Sequence, residues 1–401
     1  MNLDGNQASI REACDAGLLA GAVTLVWRHG EVLQVNEIGY RDVEAGVRMS
    51  RDTVFRIASM TKPLTVAAAM SLVDEGKLAL TDPIVRWLPE LADVRVLDDP
   101  RGPVERTQPL QRAMLVEDLM IHTSGLAYAF SVDGPISRAY YRLPFGQGPD
   151  AWLAALAEIP LVHQPGDRVT YSHGIDVLGI LVSRIERKPF HQVLDERILQ
   201  PLAMSDTGFH VSPEARRRAA TMYRLDDDDR LRHDVLGPPR TAPPSFCNAG
   251  GGLWSTADDY LRFIEMLLCG GTRDGVPVLS AESVRLMRTD RLTDIQKRHH
   301  FLGAPFWVGR GFGLNLSVVT DPARSAPLFG PGGPGTFSWP GAYGTWWQAD
   351  PTADLILLYL VQNFPTFSSD AAAAVAGNTS RARLQAAQPR FVRRTYRALG
   401  L

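Results

Sequence analysis

The hydrophobic pattern changes its period several times along the chain. Residues 7–18 are polar and amphipathic and predict a short helix. "GAVTLVWRHGEVLQVNEIGY" then gives two alternating apolar runs about the turn Arg28-His29-Gly30, which predicts a hairpin. "DTVFRIAS" predicts another short strand. Residues 63–73, "PLTVAAAMSLV", carry no charge and are apolar or small on every face, so they predict a helix buried all round. Gly76 supplies its left-handed stop, and Asp82-Pro83 a turn.

From about residue 84 to 235 the pattern is mainly helical, clearest in "DAWLAALAEI", "IDVLGILVSRIE" and "FHQVLDERIL". "MYRLDDDDRLRHDVL" predicts a polar hairpin or loop. In "GGGLWSTADDYLRFIEMLLCGG", Ser255 or Thr256 can cap a helix whose first turn carries Asp258 and Asp259. The last third returns to strands: "GFGLNLSVV", "GTFSWPGAYGTWWQAD" and "ADLILLYLVQN". Strands at both ends with helices between them predict an α+β fold: an antiparallel sheet flanked by helices and built from both termini, with a mostly helical insertion. The expected division is 1–83 with 245–401 for the sheet domain and 84–244 for the helical one. The 401 residues allow one large domain or two intimate ones.

Composition narrows the function. Hydrophobic residues at 45% and charged residues at 21% are ordinary for a soluble globular chain, and a net charge of −2 offers nothing global to attract a polyanion, so nucleic acid is not an expected partner. Cys14, Cys247 and Cys269 are scattered, odd in number and without metal-ligand spacing, and read as reduced thiols. The N-terminus lacks the apolar core of a secretory signal. The longest uncharged apolar candidate, Pro63 to Val73, is about half the ~20 residues a membrane span needs. A cytoplasmic protein is the expectation. Oligomeric state cannot be read.

Chemistry concentrates at Ser59-Met60-Thr61-Lys62. Ser-x-x-Lys is weak by itself, but here the lysine opens a run with no other charge. With Ser59 at the start of the buried helix, Lys62 lies one turn on, on the same face. Pro63 suits a first turn, whose N–H groups have no intrahelical partner. Burial strips hydration from the amine and favours its proton-accepting form, which is how a weakly acidic serine hydroxyl becomes a nucleophile. Tyr171, in "DRVTYSHGIDVLG", stands before a helix where it can relay protons. Trp339-Pro340-Gly341 is expected on an edge strand. There Gly341 lets a substrate approach closely, and the N–H of Ala342 joins that of Ser59 as an oxyanion donor.

These three elements, in this order, resemble the serine β-lactamase and penicillin-binding superfamily, in its class C branch and the related family VIII carboxylesterases. "FRIASMTKPLT", "LVDEGKLALTDPIVRWLPEL", "LMIHTSGL", "PGDRVTYSHGIDVLG", "ILQPLAMSDTGF" and "GGGLWSTADDYLRF" carry the likeness over about residues 8–363. The resemblance implies a β-lactamase/transpeptidase-like fold, with the site between a helical domain and an α/β sandwich. It implies Ser59 as the acylated nucleophile, Lys62 as its base coupled to Tyr171, and Trp339-Pro340-Gly341 in the third motif's place. No metal or cofactor is implied. Trp339 stands where the lactamase pattern has a cation, which argues against penicillins as good substrates and for an apolar acyl or alcohol pocket. His173 stands where that pattern has asparagine, a residue that contacts substrate. Tyr128 is a candidate pocket wall. The expected activity is hydrolysis of short- to medium-chain carboxylic esters. An acyltransferase, a D-amino-acid amidase or peptidase, a β-lactamase, or a non-catalytic scaffolding homologue are the alternatives.

Other motifs have simpler readings. Gly330 to Gly335, "GPGGPG", lies outside any strand–helix unit and is expected as a loop at the cleft rim. Asp226 to Asp229 read as a solvated turn, and His299-His300 as a surface pair. Asn378-Thr379-Ser380 is a glycosylation sequon in letters only. "RFVRRTYRAL" reads as an arginine-bearing helix packed on the sheet.

Overall fold

The computed structural model describes residues 2–234, 236–364 and 379–401. Its centre is one antiparallel sheet of eight strands: β1 Gly21–Arg28, β2 Glu31–Asp42, β3 Val47–Arg48, β4 Arg310–Phe312, β5 Ser317–Val319, β6 Phe337–Ser338, β7 Trp346–Asp350 and β8 Leu355–Val361. They lie in the order β4-β5-β6-β7-β8-β1-β2-β3. The two ends of the chain meet where β8 pairs β1, with Ala22 opposite Val361 and Arg28 opposite Leu355. The β1–β2 turn is His29-Gly30, both at positive φ, the conformation whose twist matches flanking strands.

Helices cover both faces of the sheet. Leu355, Leu357, Tyr359 and Val361 share a core with Ile10 of α1 (Ala8–Asp15) and with Phe391 and Tyr396 of the C-terminal helix, Thr379–Ala398. Ile356, Leu358 and Leu360 belong to the larger core on the other face, with α2 (Thr61–Asp74), α3 (Gly174–Glu186) and α4 (Ala257–Leu268). A strand covered on both sides must be apolar at every position, which explains the unbroken "LILLYLV". The same reasoning holds for α2, buried continuously from Thr61 to Leu72 and ended at Gly76 with φ +70°. Thr256 rather than Ser255 caps α4, accepting from the Asp259 N–H at 3.3 Å.

Between 84 and 244 lie α3, shorter helices such as Pro149–Ala157, and small two-stranded ribbons, one of them the hairpin Tyr223–Leu225 with Leu231–His233. None of the helices, among the described residues, is long and apolar enough to cross a membrane.

Three expectations are corrected. "GFGLNLSVV" is two strands, β4 and β5, because Asn315 at φ +60° turns the chain between them. Trp339-Pro340-Gly341 is not on an edge: β6 is flanked by β5 and β7, and the chain leaves it after Ser338 as a turn. "GPGGPG" is a loop as expected, but one held against β7 rather than standing at a rim, because Asp350 accepts from the Gly333 N–H at 2.8 Å and Gln348 donates to the Pro331 carbonyl at 3.0 Å. Asp226 is taken by Arg232 and Asp229 by Arg381. Asn378 lies outside the described residues.

Buried Asp350 also accepts from the Thr352 hydroxyl at 2.7 Å and the Tyr396 hydroxyl at 2.8 Å, fastening the C-terminal helix. Burial pushes this carboxyl up, but the Gly333, Thr352 and Tyr396 donors outweigh it and leave it below its ordinary value. A carboxyl depressed by folding stabilises above its unfolded pKa and loses that contribution as pH falls through the folded one. Asp350→Asn should therefore cost about 1–3 kcal/mol in urea unfolding at pH 7. The gap to the native protein should narrow once pH falls below about 4. An equal gap at both pH values would show that the charge contributes nothing.

Candidate active site

Ser59 sits on a 3₁₀ turn, Ala58–Met60, immediately ahead of α2. Ala58 is held at φ +45°, a left-handed conformation that a side-chain-bearing residue keeps only when its surroundings impose it. They do so here: the Tyr260 hydroxyl on α4 donates to the Met60 carbonyl at 2.8 Å, and the Ile57 N–H donates to the Leu253 carbonyl at 3.1 Å.

The Ser59 hydroxyl is the meeting point of two others. The Tyr171 hydroxyl donates to Ser59 Oγ at 2.7 Å, and Lys62 Nζ donates to it at 3.1 Å. Lys62 is 1% exposed and no carboxylate touches it among the described residues. Its amine is held by the Gly250 carbonyl at 2.5 Å and lies over the rings of Tyr171 and Tyr128, at 4.7 and 5.1 Å. A buried cation gains from aromatic faces and from a carbonyl dipole in place of water.

The nearest acid acts at one remove. Fully buried Asp176, near the start of α3, accepts from the Gly250 N–H at 2.8 Å while the carbonyl of that same glycine receives Lys62. Asp176 also takes His173 Nδ1 at 2.8 Å and the Tyr128 hydroxyl at 3.4 Å. Burial first, then Asp176 and Tyr171, push the Tyr128 phenol well above its ordinary value, so it keeps its proton for this bond. A side chain at position 250 would put its Cβ 2.6 Å from the Tyr128 hydroxyl, so only glycine fits.

Tyr171 has its own support. His122 meets its ring edge-on at 4.8 Å between centroids. Asn315 Nδ2 donates to His122 Nε2 at 3.1 Å, which leaves Nδ1–H for the Ser172 hydroxyl, also at 3.1 Å. Burial and the Lys62 charge push His122 well below its ordinary value, consistent with that neutral, single-tautomer role.

The structure therefore brings together Ser59, Lys62 and Tyr171, with Tyr128 beside them. Trp339 is buried against Tyr171, Phe301, Phe306 and Phe312, with centroids 5.1–6.2 Å apart, and forms an aromatic wall. Gly341 serves a different approach from the expected one. A Cβ there would lie 2.4 Å from the Ile57 carbonyl and 2.0 Å from Thr345 Oγ1, so the glycine lets this turn lie against the segment that carries Ser59. The Ala342 N–H has no acceptor among the described residues. His173 departs from the substrate-contact expectation: it is buried behind Tyr128, bonded to Asp176 and packed against Trp152.

Asp176, Gly250 and His122 were not anticipated. The available signal for Asp176 was a lone acid three residues after His173 in an otherwise apolar helical run. For Gly250 and His122 only the three-dimensional contacts speak.

The family profile described as Beta-lactamase matches residues 7–379. The chain belongs to the beta-lactamase family. Its fold is the β-lactamase/transpeptidase-like one, and its relatives place it on the esterase-like side of this superfamily. It is 79% identical over 401 residues to Protein Rv1367c of Mycobacterium tuberculosis, covering 100% of both chains. It is 34% identical to Esterase EstB of Burkholderia gladioli, over 85% of this chain and 86% of that one. The solved structure of "EstCE1, a hydrolase with promiscuous acyltransferase activity" superposes with a TM-score of 0.78 at 27% identity, covering 98% of each chain.

A buried ammonium without a carboxylate is a stability cost that a folded core does not need. Lys62→Met, similar in length and apolar, should be at least as stable as the native protein, within about 1 kcal/mol or better by urea unfolding. A loss well beyond about 1 kcal/mol would show the amine to be a structural strut.

Proposed function

We propose that this chain is a serine carboxylesterase that cleaves short- to medium-chain carboxylic esters through an acyl-enzyme on Ser59. The observation that carries this reading is the convergence of Tyr171 and Lys62 on the Ser59 hydroxyl, at 2.7 and 3.1 Å, in a seam otherwise walled by aromatic side chains. As Ser59 Oγ attacks the ester carbonyl, its proton passes to the Lys62–Tyr171 pair, which accepts it in the state where the two together have released one proton to solvent. The tetrahedral oxyanion falls to the N–H groups of Ser59 and Ala342, the latter free of any acceptor among the described residues. The C–O bond to the alcohol then breaks, and Tyr171 returns the proton to the leaving alkoxide. Water repeats the sequence on the acyl-enzyme and frees Ser59. Trp339 puts an indole where a carboxylate-binding cation would favour β-lactams, and with Phe301 and Phe306 it offers apolar surface to an acyl or alcohol group.

The esterase name of the Burkholderia gladioli relative supports the reaction class. The EstCE1 title supports a second reading, acyl transfer to an alcohol in place of water. The aromatic wall beside Tyr171 favours it too, since an apolar acceptor would displace water there.

Initial rates on p-nitrophenyl acetate, butyrate and octanoate beside nitrocefin test the proposal. Ester turnover should exceed nitrocefin turnover and fall about a thousandfold or more in Ser59→Ala. Tyr171→Phe and Lys62→Met should each lose about 10²–10⁴-fold, mainly in kcat. Ester turnover that survives Ser59→Ala would place the chemistry elsewhere.

A further inference from the structure

Beyond Tyr171 the wall changes from aromatic to basic. Arg101, Arg168, His299 and His300 line a cavity of about 340 Å³ together with Tyr171 and Phe301. Both aromatic residues belong equally to the surroundings of Ser59: Tyr171 bonds its hydroxyl, and Phe301 packs on Tyr171 and Trp339 at 5.7 and 6.1 Å. Tyr171 and Phe301 thus border both the cavity and the surroundings of Ser59. His299 and His300, which read in sequence as a plain surface pair, stand at its rim.

The two arginines stand out by sharing one cavity without a carboxylate bound to either. Most of its arginines near an acid are paired, as in Arg184 with Glu90 and Asp150, or Arg197 with Glu75 and Glu186. Arg101 and Arg168 form no ion pair among the described residues, although Asp133 lines the same cavity. Their donors remain available. His163, in the wall behind, adds no charge: its nitrogens are engaged by the Gln164 carbonyl and Thr170, and burial lowers its pKa to about 4. Two arginines without an ion pair on one cavity, with two histidines beside them, suit an oxyanion, which a guanidinium can grip through forked N–H bonds.

We propose that this cavity is a subsite for an anionic group, a carboxylate or phosphate, carried by the ester substrate on the arm that extends past Tyr171. This rests on the esterase reading and narrows it. The substrate would be amphiphilic: an apolar stretch against Trp339 and Phe301, then an anion several bonds from the ester carbonyl. The cation absent at Trp339 is thereby not lost from the site but set farther out, where it selects a longer ester rather than a carboxylate adjacent to the reacting bond.

The test compares mono-p-nitrophenyl glutarate with the neutral p-nitrophenyl butyrate, in the native protein and in Arg101→Gln/Arg168→Gln. The native kcat/KM should favour the glutarate hemiester about tenfold or more, through KM, and that advantage should shrink with salt. The double variant should bring the two esters within about twofold of each other, and Arg168→Lys alone should fall between, since it keeps charge but loses the fork. A preference equal in native and double-variant protein would overturn the proposal. A second arm needs no turnover: calorimetric titration of glutarate, and separately of inorganic phosphate, into Ser59→Ala. Binding that weakens about tenfold when both arginines are also replaced supports the subsite and shows which anion it prefers. Absence of binding by either anion, or binding indifferent to the arginines, refutes it. Anion binding with no hydrolysis of either ester would instead overturn the esterase reading and leave the subsite standing.

Discussion

The Lys62 amine, enclosed by protein with no carboxylate against it among the described residues, is the constraint around which this structure is arranged. Removing the Lys62 amine from water costs several kcal/mol unless dipoles replace the water. The replacements come from far apart in the chain. Gly250 is 188 positions away and supplies the carbonyl. Tyr171 and Tyr128 supply ring faces. Asp176 reaches the amine only through the Gly250 peptide, so its charge orients the carbonyl without neutralising the lysine by contact. A direct Lys–Asp pair would hold the proton on the amine. A peptide interposed between them fixes the geometry of the amine without a direct ion pair.

The local folds follow from that requirement. α2 must be buried on every side because it delivers Lys62 to the interior, so its own sequence is apolar or small throughout. The glycine-rich turn before α4 must pass close to Tyr128 and Asp176, which excludes any side chain at 250. The turn after β6 must touch Ile57, which excludes one at 341. Ala58 takes up the remaining misfit as a left-handed residue beside the serine. Around Ser59 lie an aromatic wall of Trp339, Phe301, Phe306 and Phe312 and, past Tyr171 and Phe301, a cavity lined by Arg101 and Arg168.

Much was readable from sequence because it is local. The alternating runs read for β1 and β2, the unbroken apolar run of β8, the all-apolar α2 and the capped α4 each declare themselves within a dozen residues. So does the Ser59–Lys62 spacing, which one helical turn converts into proximity. Tyr171 and Trp339 were readable only together with that motif, as an ordered set. The Asp350 clasp, the interior place of β6 and the split of "GFGLNLSVV" at Asn315 were not, since each depends on which strand lies alongside.

The amino-acid order alone therefore determined most of the elements, the two-ended sheet and the identity of the residues proposed for the chemistry. Tertiary structure decided their second layer. It moved His173 behind Tyr128, because a buried acid three residues along offered it a partner. It gave Gly250 both ends of the Asp176–Lys62 link and set Arg101, Arg168 and His299 around one cavity. The Gly250 and His122 contacts join positions from 74 to nearly 200 residues apart, and no periodicity encodes them: they exist only once separate segments have packed and the unsatisfied polar groups of one have found those of another.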